Sequence, residues 1–158
     1  MKKRVPQLAL HLDSLSTTAL PRPWQDGASL PHLGGCLRLK LDTDRKTARL
    51  EGDELHLPLP PEAGERQIRD AAEAWQRGEA RRILTAAIRR QAGQLCCTPP
   101  ALRLSFAASG HWVQSEDHGL RCHWRLIEQS PAIIEQLIGQ AVARYRPAGT
   151  TGDLFAFA

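Results

Sequence analysis

Polar and apolar positions alternate in two rhythms along this chain. From Leu37, LRLKLD sets Leu37, Leu39 and Leu41 against polar neighbours, the period of a half-buried strand. TARL and ELHLPL repeat it around Glu51-Gly52-Asp53, a turn signal, with Leu55, Leu57 and Leu59 on the core face. Pro58 inside that run predicts an edge strand, and Pro60-Pro61 ends it. A helical rhythm then runs over about 65–95. Ile68, Ala71, Ala72 and Trp75 form one stripe, and Ile83, Leu84, Ala87 and Ile88 another, with Gly78 between them as an expected break or kink. After Pro99-Pro100, ALRLSFA predicts a strand with Leu102, Leu104 and Phe106 on one side.

GLRCHWRL follows a turn at Glu116-Asp117-His118-Gly119 and alternates cleanly. Leu120, Cys122, Trp124 and Leu126 give an apolar face; Arg121, His123 and Arg125 give a basic one. Ser130-Pro131 supplies an N-cap and an N1 proline, starting a helix that Pro147 stops. Its stripe is Ile133, Ile134, Leu137, Ile138, Ala141, Val142 and Tyr145. The order β-β-β, α-α, β-β, α predicts an α+β domain. An antiparallel sheet from 37–59 and 102–126 is expected to pack against the helices. Residues 1–35, with Pro6, Pro21, Pro23, Pro31, Gly34 and Gly35, read as an irregular arm, and 36–158 as the domain.

Composition changes this picture little. A chain of 158 residues suits one domain with a real core, and 42% hydrophobic with 24% charged residues is ordinary for a soluble protein. A net charge of +4 and a pI near 9.2 allow an anionic partner, nucleic acid included. MKKRVPQLALHLDSL opens like a secretory leader, but Pro6 and Asp13 interrupt its apolar run. No apolar stretch approaches the ~18 residues of a membrane span, so a cytoplasmic chain with no membrane association is expected. The four cysteines, Cys36, Cys96, Cys97 and Cys122, form no C-x-x-C pair and read as reduced, idle thiols.

Several constellations offer chemistry. Gln140 and Arg144 sit one turn apart beside the apolar face of the last helix, where two side chains can meet one ligand. His111, His118, Cys122 and His123 are spaced H-x6-H-x3-C-H, but adjacent strand residues 122 and 123 point to opposite faces and cannot share a metal there. Cys96 or Cys97 with His123 or His56, or Ser109 with His111, would be needed for metal-free hydrolysis, and no motif supports either pairing.

Three stretches carry a resemblance. AWQRGEARRILTAAIRR, SGHWVQSEDHGLRCHWRLIEQSP and LIGQAVARY are similar, in order, to the helix, the R-W-G-S…L-N-W-R-L-I…P signature and the V-V-H-E-L-A-H helix of the YgjP-like family of predicted zinc metallopeptidases, relatives of the SprT and WLM types. Trp124, Arg125, Leu126, Ile127 and Pro131 are the most specific part. The resemblance implies a zincin-like fold in which two histidines one turn apart bind zinc and a glutamate between them polarises the attacking water. Here those positions hold Gln140, Ala141 and Arg144, and the third ligand position falls near Thr151, ahead of Phe155. His111-Trp112-Val113-Gln114 replaces R-W-G-S, and His123 replaces the asparagine.

A pseudoenzyme is therefore expected, with no zinc and no catalytic residue, acting by binding a protein or an anionic, phosphate-bearing ligand. The candidate cleft comprises His111, Trp112, Arg121, His123, Arg125 and Arg144. The bland alternative pairs Arg144 with Glu135 or Asp153 and merely holds the domain shut. Two further readings are an active metal-dependent hydrolase or peptidase with atypical ligands, and a nucleic-acid-binding accessory domain.

Overall fold

A computed structural model of the chain describes residues 24–108 and 110–146. Strands β1 (Ser29–His32), β2 (Gly35–Leu41), β3 (Arg49–Glu51) and β4 (Glu54–Leu57) come first, then a 30-residue helix α1 (Glu65–Gln94). Strands β5 (Ala101–Ser105), β6 (Val113–Glu116) and β7 (Gly119–His123) follow, then a 3-10 helix (Trp124–Glu128) and helix α2 (Pro131–Arg144). The class is α+β.

Its strands do not make one antiparallel sheet. They form two mixed sheets, ordered β1-β2-β4-β3 and β5-β7-β6. In each, one pair is parallel: β2 with β4, where Leu39 faces Leu55, and β5 with β7, where Leu104 faces Cys122. The expected hairpins, β3–β4 and β6–β7, are antiparallel, but each sends its second strand into the middle of its sheet. Thus β4 is internal, and it ends at Leu57 before Pro58, so that proline does not mark an edge.

The stretch read as an irregular arm contains β1, antiparallel to β2. A two-residue turn joins them, with Leu33 at φ 47° and Gly34 at φ 80°, the left-handed pair that matches the twist of a tight hairpin. The turn is anchored: Leu33 N donates to Ile127 O at 2.8 Å and Gly34 N to Glu128 O at 3.0 Å. Residues 1–23 of the arm lie outside the described residues.

Helix α1 runs unbroken through Gly78. Gly78 is exposed and has nothing within 4 Å of a would-be Cβ, so its cost is only the intrinsic ~1 kcal/mol of a helical glycine. Buried Ala72, Gln76, Ala80 and Leu84 on either side offset it. At 1.5 Å per residue the helix is about 45 Å long and serves two cores. Its first half packs Ile68 and Ala72 with Leu30, Leu37, Leu39, Leu55 and Leu57 of the first sheet. Its second half packs Leu84, Ala87 and Ile88 with Leu120, Leu126, Ile127 and Ile138. Gln76 joins them, donating from Nε2 to Pro31 O at 3.0 Å. No helix among the described residues is long and apolar enough to cross a membrane.

Candidate functional site

Helix α2 starts as its sequence dictates. Ser130 Oγ accepts from Ile133 N at 3.4 Å with Pro131 in the first turn. Ile134, Ile138 and Val142 are buried, and Glu135 ties the helix to α1, accepting from Gln91 Nε2 at 2.7 Å and pairing with Arg90. Arg144 therefore does not have Glu135 as its partner, while Asp153 lies outside the described residues. Gln140 and Arg144 are exposed, roughly 120–160° around the helix from its buried line. Ala141 is half-buried against the core, and Thr151 lies outside the described residues.

This face does not fit a catalytic zinc. An amide, a methyl group and a guanidinium that stays protonated supply neither imidazole, thiolate nor carboxylate. Among the described residues no three His, Cys, Asp or Glu side chains converge in a metal-holding group. The H-x6-H-x3-C-H residues do not assemble one. Cys122 is fully buried in the core and its thiol is pushed up to about 12 by desolvation, while His118 is exposed on the β6–β7 turn.

His123 is committed to the fold. It is 4% exposed; its Nε2 donates to Ala107 O at 2.8 Å, and its Nδ1 accepts from Arg125 N at 3.2 Å, capping the 3-10 helix. Those two bonds fix the neutral Nε2–H tautomer. Burial holds its pKa below the ordinary imidazole value; the Ala107 bond opposes this and Arg125 adds to it. Trp112 is buried edge-on to the ring at 6.0 Å, with its Nε1 lacking a hydrogen-bond acceptor among the described residues. His111, next to it, is exposed.

The three candidate arginines, Arg121, Arg125 and Arg144, diverge. Arg121 Nε sits 3.0 Å from Glu116 Oε1 and its Nη2 donates to Gln114 at 3.2 Å, so an acid already neutralises it. Arg125 lies 5.3 Å over the Trp124 ring. Arg77 of α1 lies 5.4 Å from the same ring and 5.3 Å from that of Phe106, which is 57% exposed. Neighbouring Glu128 is half-buried and its carboxyl is pushed up by desolvation, against the pull of Arg125 and with the push of Glu73. Arg77 and Leu95 are separated by about 27 Å of helix, and Val142 lies beside Leu95, so Arg125 and Arg144 belong to opposite ends of the molecule. No single cleft collects Arg121, Arg125 and Arg144.

Two features escaped the sequence. The W-R-L-I segment is a 3-10 helix, although Trp124 and Leu126 continue the strand alternation. Its signal was Leu126 beside Ile127, two adjacent buried apolar residues that a half-exposed strand does not carry. The aromatic-guanidinium stack over Trp124 joins Arg77 and Phe106 to Arg125 across long sequence separations.

The α+β domain with two small mixed sheets, a long helix and a shorter one is consistent with the architecture of a metallopeptidase domain. The family model described as YgjP-like, metallopeptidase domain, matches residues 2–138, and the chain belongs to that family. The match stops two residues before Gln140. No curated protein and no solved structure matches the chain.

Proposed function

We propose that this is a YgjP-like domain without zinc chemistry that acts by binding a protein or a phosphate-bearing partner. The observation that carries the reading is the chemistry of α2 at exposed Gln140 and Arg144 and half-buried Ala141, which the resemblance sets at the positions of two histidines and a glutamate. A guanidinium repels a divalent cation and attracts anions, so the substitution reverses the sign of what this face binds. The stack of Phe106, Arg77, Trp124 and Arg125 gives a second surface with an exposed ring, on which Glu73 pairs with Arg77 at 3.3 Å and Arg125 lies over Trp124. With a net charge of +4, the Arg144 face suits an anionic partner.

The test is calorimetric titration of the metal-stripped full chain with zinc, beside Arg144→Gln. The reading predicts only weak, non-stoichiometric heat from both proteins. Saturable binding of about one zinc per chain to the wild type would refute it and restore the metal-dependent hydrolase with atypical ligands.

A further inference from the structure

Away from the Trp124 stack, the C-terminal ends of α1 and α2 border a half-open cavity of about 520 Å³, within the size range of small-molecule sites. Its walls are apolar: Leu95, Pro99, Pro100, Val142 and Ala143 all face it. Each wall is held in place before any ligand arrives. At the end of α1, Cys97 N donates to Ala92 O at 3.0 Å and Cys96 N to Gly93 O at 3.2 Å, a Schellman closure with Cys96 itself left-handed at φ 51°. Pro99-Pro100 then fixes the chain entering β5. On the opposite side, Gly119 packs so tightly that a Cβ would meet Ala101 O at 2.2 Å, which pins the turn bearing His118 against β5.

The cavity carries one permanent charge among its described lining residues, the guanidinium of Arg146. Arg146, His118, Tyr145 and Thr98 line it, and none of its described lining residues is acidic. The nearby Glu116 is held by Arg121 at 3.0 Å and Arg103 at 3.6 Å. Arg146 Nη1 donates to Ala143 O at 3.2 Å and Tyr145 O at 2.9 Å, answering the negative end of α2 and leaving its other N–H groups for a ligand. An apolar body with an anionic head matches this arrangement.

We infer that this cavity is a binding site for an apolar monocarboxylate of medium chain length, its hydrocarbon against Leu95, Pro99 and Val142 and its carboxylate at Arg146. The site is independent of whether α2 carries metal chemistry, since the ligand titration and the zinc titration read different faces.

The experiment titrates the full chain with decanoate and, separately, with decan-1-ol, following amide shifts by two-dimensional NMR. Decanoate is expected to saturate shifts at Cys97, His118, Ala143 and Arg146 and to bind at least about tenfold tighter than the alcohol. Arg146→Gln should remove that preference, and Ala143→Trp, a rim substitution that fills the space, should abolish binding with the circular dichroism spectrum unchanged. Equal affinity for acid and alcohol, shifts confined to other surfaces, or no saturation would each overturn the inference.

Discussion

At the scale of single residues, His123 shows how a polar signal becomes structure. His123 has both ring nitrogens spent on backbone groups, and His32, 8% exposed, is likewise held below the ordinary value of 6.5, chiefly by burial. An imidazole whose folded pKa is depressed binds protons more readily in the unfolded chain, so stability is retained above about pH 6.5 and lost as pH falls below it. Urea denaturation at about pH 7.5 and about pH 5.5 should show this loss in the wild type. His123→Gln, which cannot titrate, should reduce the difference while lowering stability at both pH values by about 1–2 kcal/mol. An undiminished difference would show that His123 is not part of the linkage. Glu128 acts in the opposite sense from about pH 4.5 upward, since its carboxyl is raised, which is why the variant comparison isolates the imidazole. The sequence pattern predicts one basic face over 121–125, but His123 is buried and Arg125 leaves the strand in the 3-10 helix. Arg121 is answered by Glu116 across β6–β7, and Arg125 by a ring beneath it.

At the scale of elements, two glycines make opposed predictions. Gly78 is exposed in the middle of α1 with open space around it, so Gly78→Ala should stabilise by about 0.5–1 kcal/mol, read as a rise in the melting temperature. Gly119 faces backbone that cannot give way, so Gly119→Ala should destabilise by about 2 kcal/mol or more, because β5 and β7 must separate locally. Equal effects would show that Gly119 is not sterically trapped. The strands were legible because alternating leucines bury one face, as Leu37 and Leu39 do. Their pairing was not, because no local pattern states that β4 lies between β2 and β3, or that β7 lies between β5 and β6. The start of α2 was legible from Ser130-Pro131 alone. The break at Gly78 was wrongly expected, because a local propensity of ~1 kcal/mol loses to packing along both cores.

At the scale of the whole molecule, one long helix carries two sheets and leaves Gln140 and Arg144 on an exposed turn of α2. That separation explains why the candidate residues do not form one cleft. Arg125 belongs to the Trp124 stack, Arg121 to the β6–β7 surface, and Arg144 to the far end beside the cavity. Membership of the family was legible in the helix stretch and the W-R-L-I segment, both of which lie inside the matched residues 2–138, whereas the third stretch, LIGQAVARY, lies almost wholly beyond them. The cavity was not legible, since Leu95, His118 and Arg146 meet only through the tertiary fold.

The most direct check of the central claim is the zinc content of the untagged full chain as purified from cells, measured by elemental mass spectrometry before and after mild chelation. The account predicts near-zero zinc in both samples. About one zinc per chain that resists mild chelation would contradict it, because the Gln140-Ala141-Arg144 face offers no set of donors that could hold the ion.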